Sequence, residues 1–287
     1  MLVSMKYLLD KAKDRDYAVG AFNATELALV RSVVEQAEES DSPAIIEASA
    51  GEFEFVTKDF YKYVIERCKD SRVPFALHLD HGHTVEECVR AIQAGFTSVM
   101  FDGSTLTYEE NVALTKKVVE IAHAAGVTVE GEIGTIGAIG NSDEGGVTNI
   151  TYTRPEDVVD FVEKTGVDCL AIAIGTAHGI YPKGYTPKLQ LELLEEIKKI
   201  APVPLVLHGG SNNPDDEIAK ACKIGIAKVN ISSDIKYAYF KKLDEVYKET
   251  GGFVPAKVMG PAIVDTKAVV KNKMELFNSV GKASLYR

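Results

Sequence analysis

The chain has 287 residues, 46% of them apolar and 26% charged, with a formal net charge of −10. This is the composition of a soluble globular protein long enough to bury a large core. The acidity argues against a nucleic-acid partner, which would select a basic face, but not against an anionic substrate, because a pocket's field is local.

The opening stretch "MLVSMKYLLDKAKDRD" has amphipathic helical spacing, without the apolar core or small-residue cleavage site of a signal peptide. Eight β-like runs follow: 17–23, 43–49, 74–80, 98–104, 127–133, 169–175, 204–210 and 228–234. Several are too continuously apolar for a sheet with one wet face, which suits parallel strands covered on both sides. Helical patterns lie between them, such as "TVEECVRAIQAG" and "EENVALTKKVVEIAHAAG", whose closing Gly95 and Gly126 suit helix ends. Strands alternating with helices over this length predict a (β/α)8 TIM barrel of the α/β class, a single domain over 1–287.

Two segments break the rhythm. Residues 134–154 are rich in glycine and too long for an ordinary connection, so they read as a functional loop. From about Gly252 an extra C-terminal helical segment is expected, as a last hairpin or an oligomer contact. Cys68, Cys88, Cys169 and Cys222 lack CxxC spacing and read as reduced core residues of a cytoplasmic protein. No apolar run approaches the ~20 residues of a membrane span, so no membrane association is expected.

Catalytic groups of such barrels sit at the C-terminal ends of the strands. Those ends carry Asn23, Ser49, Asp80, His81, Asp102, Glu132, His178, His208 and Asn230. One strand-end histidine is more often a hydrogen-bonded rim residue than a ligand. Three of them, His81, His178 and His208 after strands three, six and seven, point to a zinc site with positions open for substrate. His78 shares a strand face with Asp80 and reads as a supporting or packing residue. His83 reads as a rim or cap residue and His123 as a surface residue near a helix end.

Phosphate is the second theme. "HGGS" and "NISSD" follow strands seven and eight, where barrel enzymes bind phosphate with backbone N–H groups and a helix N-terminus. Gly209 and Gly210 permit close backbone approach, and Ser211, Ser232 and Ser233 offer hydroxyls. The competing reading is that Ser232, Ser233 and Asp234 only cap the next helix.

Taken in order, "YAVGAFN", "LHLDHG", "AGFTSVMFDGS", "VEGEIGTIG", "GTAHGIY", "VPLVLHGGS" and "KVNISSD" resemble the zinc-dependent class II ketose-bisphosphate aldolases, in the fructose- and tagatose-bisphosphate branch. The resemblance covers nearly the whole chain. It implies reversible cleavage of a ketose (bis)phosphate into dihydroxyacetone phosphate and an aldehyde such as glyceraldehyde 3-phosphate, as in glycolysis. It makes His81, His178 and His208 the ligands of one catalytic Zn2+ and Asp80 the acid/base. Gly179, Gly209, Gly210, Ser211, Asn230, Ile231, Ser232 and Ser233 become the dihydroxyacetone phosphate site, with Asn23 and Ser49 lining the pocket. Asp102 and Glu132 match carboxylates that hold a second or displaced metal in some members, and a monovalent cation is a further option. The family's assembly implies a homodimer or homotetramer.

The chain departs from the pattern in three places. The family's loop glutamate aligns on Gly140, which leaves Asp143 or Glu144 to serve as the loop base. Asn212 stands where glycine is common, at a position where Asn tolerates positive φ, and "HGH" differs from the usual residues after the first ligand. No lysine ends strand six, and Lys228 opens the eighth run, away from the mouth, so a Schiff-base aldolase is disfavoured. The alternatives are a metal-dependent phosphosugar isomerase or epimerase, and a phosphosugar-binding barrel without turnover.

Overall fold

The computed structural model describes residues 1–139, 147, 150–181 and 187–287. The chain opens with α1 (Met5–Ala12), β1 (Val19–Asn23), α2 (Leu27–Glu39), β2 (Ala44–Ser49) and α3 (Ala50–Lys69). Next come β3 (Phe75–Gly82), α4 (Val85–Ala94), β4 (Ser98–Phe101), α5 (Tyr108–Ala124), β5 (Thr128–Ile133) and β6 (Gly137–Ala138). After these lie α6 (Pro155–Thr165), β7 (Cys169–Ile172), β8 (Ala177–His178), α7 (Leu191–Ile200), β9 (Leu205–Leu207) and α8 (Asp215–Ile224). The chain ends with β10 (Ile226–Ile231), α9 (Ser233–Thr250), α10 (Pro255–Leu276) and a 3-10 turn at Lys282–Tyr286.

Strands β1, β2, β3, β4, β5, β7, β9 and β10 close into a parallel barrel, as the alternating pattern predicts. Local chemistry sets the helix ends. Thr84 with Glu87, and Thr107 with Glu110, form capping boxes at the starts of α4 and α5, and Gly95 ends α4 in the left-handed region. α10 packs against both α9 and α2, which makes the C-terminal segment an extra helix of the outer ring.

Alternation along the strands sorts the interior. On β1 and β2, Phe22, Ala44 and Ile46 pack outward under the helices, while Val19, Ala21 and Ile45 point inward. The lower interior is apolar and is closed by Met5, Leu8, Leu9 and Ala12 of α1, with Tyr17 and Tyr286. The upper interior positions are polar: Asn23, Ser49, Asp80, Glu132 and Asn230 are all buried there.

Several predicted boundaries shift. The runs ending at 104, 175, 210 and 234 leave the sheet earlier, at Phe101, Ile172, Leu207 and Ile231, because their polar ends turn into the mouth. Within the expected 134–154 loop, Gly137 and Ala138 instead form β6, which pairs in parallel with β8. Gly140, Asp143 and Glu144 lie outside the described residues, and with them the assignment of a loop base. Lys228 does not open its strand: it is third in β10, in mid-barrel and fully buried.

Candidate metal centre and active site

His81, His178 and His208 each present a ring nitrogen at the barrel mouth, all within 4.8 Å of one another, and all three residues are buried. Their rings stand nearly perpendicular, with interplanar angles of 83°, 85° and 80°. Three neutral nitrogens converging from different elements are a donor set for a tetrahedral cation with open positions.

Each histidine arrives differently. Regular alternation would send Asp80 inward and His81 outward. The register of β3 against β4 shifts between Leu79 and Gly82, and His81 takes φ 50°, so both side chains reach the mouth. His178 lies beyond the end of β7, on β8, held over the barrel by its pairing with β6. Gly179 follows at φ 102°, and a Cβ there would lie 2.0 Å from Ile139 O, so only glycine fits. His208 directly follows β9 and is fully buried.

Carboxylates sit behind the rings of His81 and His208. His81 Nδ1 lies 2.8 Å from Asp102 Oδ2, and His208 Nε2 lies 2.7 Å from Glu130 Oε1. If each outer nitrogen donates to its carboxylate, the inner nitrogens, His81 Nε2 and His208 Nδ1, face each other at 2.8 Å with lone pairs. That arrangement is stable only with a cation or a proton between them, and so the residues present fit a metal ion. Burial disfavours the His81 cation, but Asp80 and Asp102 outweigh burial and raise its pKa well above the usual imidazole range. Burial and the neighbouring His81 push His208 well below that range.

Asp80 is the best-held group of the site. Its Oδ2 accepts from Asn23 Nδ2 at 3.1 Å and its Oδ1 from Asn230 Nδ2 at 3.0 Å. Burial alone would raise its pKa; His81, His208, Lys228 and the Asn23 amide together hold it well below the carboxylate range. Asn230, expected at the phosphate, and Asn23, expected as pocket lining, thus both clamp Asp80. Each keeps a buried Oδ1 without a hydrogen-bond partner. Ser49 is buried opposite Asp80 in the β2–β3 register and donates to Glu52 Oε2 at 3.4 Å.

Asp102 and Glu132 share a second cluster with His81 that could also take a cation. Their carboxyls differ: burial and Asp102 push Glu132 up, whereas His81 and Ser104 outweigh burial to hold Asp102 down.

The phosphate-loop residues meet at the ends of β9 and β10. Gly209 has φ 61°, and a Cβ there would lie 2.7 Å from Ala177 O. Ser211 Oγ accepts from the N–H groups of Ser232 and Asp234, both at 3.3 Å, so this hydroxyl caps α9. Ser232 makes no side-chain cap, contrary to the competing reading, and leaves its hydroxyl at the α9 N-terminus beside Ser233. Ile231 packs outward into the core, so only its backbone faces this region. Asn212 takes φ 56°, as expected. Sequence reasoning missed Asn213, whose buried Nδ2 binds Gly209 O at 2.6 Å and Ser211 O at 2.9 Å and so shapes the loop.

The remaining histidines fall where expected. His78 is buried beneath Asp80 with Nδ1 2.8 Å from Ser98 Oγ. The backbone N–H of exposed His83 joins the α4 capping box, and His123 pairs with Asp168 at 2.9 Å on the surface.

Comparison with known proteins supplies the family. A family model described as fructose-bisphosphate aldolase class-II matches residues 3–282. The fructose-bisphosphate aldolase of Geobacillus stearothermophilus is 41% identical, covering 99% of this chain and 99% of its own. That of Thermus caldophilus is 39% identical, covering 99% and 100%. Among solved structures, the YdjI aldolase of Escherichia coli K12 matches with a TM-score of 0.87 at 33% identity, over 99% of this chain and 100% of that one. With the closed barrel, the buried histidine cluster and this match along the chain, the protein belongs to the metal-dependent class II fructose-bisphosphate aldolase family.

Proposed function

We propose that this class II aldolase uses zinc to cleave fructose 1,6-bisphosphate, or its tagatose epimer, reversibly into dihydroxyacetone phosphate and glyceraldehyde 3-phosphate. The observation that carries the reading is a triad of buried imidazoles beside one rigidly clamped carboxylate, Asp80.

His81, His178 and His208 would hold the zinc, which supplies Lewis-acid polarisation of the substrate carbonyl. Asp80, kept ionised, takes the C4 hydroxyl proton as the C3–C4 bond breaks, and the bond's electron pair moves toward the C2 oxygen. The two asparagine amides fix the carboxylate before substrate arrives, so little reorganisation is needed at the moment of transfer. At the other end, the N-terminus of α9 with Ser232 and Ser233, beside the loop Gly209–Gly210–Ser211, offers N–H and hydroxyl donors to the phosphate of the dihydroxyacetone half.

Exposed Tyr237, Phe240 and Tyr247 on α9, with Phe253 just beyond, support assembly as a homodimer or homotetramer. The four buried free cysteines suit a reducing cytoplasm, where such an enzyme would serve glycolysis. Among the described residues, no helix is long and apolar enough to cross a membrane.

The test is dihydroxyacetone phosphate release from fructose and tagatose bisphosphates and their 1-phosphates, before chelation, after chelation and after zinc restoration. Release that disappears with chelation and returns with zinc is expected. No release from any of these sugars by metal-loaded protein would overturn the assignment.

A further inference from the structure

One layer below the mouth, Glu130 and Lys228 are fully buried, and neither gives nor takes a proton in the transfer above. Glu130 alternates with Glu132 on β5, so the two carboxyls share the interior face at different depths. Its oxygens serve different partners: Oε1 lies 2.7 Å from His208 Nε2, and Oε2 lies 3.0 Å from Lys228 Nζ. Lys228 also reaches Glu47 Oε2 at 3.4 Å.

A carboxylate paired to an ammonium can only accept hydrogen bonds, so it demands that His208 carry its ring proton on Nε2. The lone pair is then on Nδ1, the nitrogen that faces His81 Nε2 at 2.8 Å. Were the ring proton on Nδ1 instead, His208 would present a donor to the metal position and bind nothing there. The partner behind a histidine ligand decides which nitrogen is free.

We propose that Glu130, itself held by Lys228, is a positioning residue that locks His208 in the tautomer whose Nδ1 can bind metal. The inference rests on the reading of His208 as a ligand and extends it one layer deeper. It assigns Lys228, which stands in mid-barrel and not at the mouth, an indirect part in metal capture.

Glu130→Gln gives a specific test, because the new side chain is nearly the same shape. Lys228 draws the amide oxygen toward itself, which turns the amide NH2 toward His208 Nε2 and forces the wrong tautomer. Zinc affinity, read by competition with a chromophoric chelator, should weaken about 10- to 100-fold, and the visible spectrum of the cobalt-substituted protein should change. Adding Lys228→Met frees the amide to turn back, so the double variant should regain much of that affinity. Glu47→Gln perturbs the same buried cluster without touching His208 and should stay within about threefold of the parent, well short of the loss expected for a misplaced ligand.

Far-UV circular dichroism and thermal melting check that each protein is folded. Glu130→Gln binding zinc like the parent would overturn the proposal, as would Glu47→Gln losing as much as Glu130→Gln, since that would mean simple core damage. Failure of the underlying reading looks different: His208→Ala would then bind zinc as tightly as the parent.

Discussion

The two halves of the barrel interior are built from the same strands with the same alternation, yet they carry opposite chemistry. Below, Val19, Ile45, Ala76, Val206 and Ala227 join the side chains of α1 in one apolar cluster, with the tyrosine pair Tyr17 and Tyr286 at the floor. Above, the inward positions hold asparagines, carboxylates and imidazoles, and Asn23, Asn230 and Glu132 each keep a buried oxygen without a hydrogen-bond partner. Burying such atoms costs about 1–3 kcal/mol each, which a stability-driven design would avoid. The apolar floor and outer core offset this, so that the mouth can be shaped for a ligand. Substitutions should therefore separate cleanly: at the mouth they remove function, and at the floor they remove stability.

The largest effect is expected at Asp80. Asp80→Ala removes the group clamped by Asn23 and Asn230, and the cleavage rate should fall by about 10²- to 10⁴-fold while zinc stays bound. Steady-state rates with parallel metal analysis check this. Cleavage at the parental rate would show that the proton leaves by another route.

The matching floor substitution is Leu8→Ala. Leu8 is fully buried in the cluster that closes the barrel, and its truncation should cost about 2–5 kcal/mol by urea denaturation. Zinc affinity and the rate per folded molecule should not change. A loss of metal binding in folded Leu8→Ala would mean that the two halves are coupled, and the comparison would fail.

How far the sequence reveals this division differs by feature. The eight strands and the polar mouth are legible, because a polar residue closing an apolar run marks the point where the strand leaves the core. His81 is legible as a strand-end residue, but its direction is not: strand alternation alone sends it outward, and the bulge with φ 50° that brings it back leaves no signal in composition. His178 likewise depends on a two-residue pairing between β6 and β8 that is too short for periodicity to register. Glu47, Glu130 and Lys228 stand in plain view as charged residues inside apolar runs. They become informative only once the barrel's alternation puts all three on the interior face, where no charge can remain unpaired. The amphipathic start of the chain is readable as a helix, but not as the barrel floor, since amphipathicity names a buried face without naming what covers it.

The smallest expected effect concerns the tyrosine pair of the floor. Tyr286 Oη donates to Leu8 O at 2.8 Å, so Tyr17 Oη must donate to Tyr286 Oη, 2.7 Å away. Burial raises the pKa of both hydroxyls above the free value of 10.0. Above that pH the unfolded chain releases these protons while the folded chain keeps them. The unfolded state therefore binds fewer protons, and stability falls as pH rises, by up to about 1.4 kcal/mol per pH unit for each tyrosine. Tyr286→Phe should cost about 0.5–1.5 kcal/mol at neutral pH from the lost hydrogen bonds. It should also remove one tyrosine's share of the alkaline slope, so that the variant and the parent converge in stability above pH 10. Urea midpoints across the neutral-to-alkaline range read both terms in one experiment. Parallel curves, with the same offset at every pH, would show that the floor tyrosines do not hold their protons against alkali, and that the lower half is less dry than its packing implies.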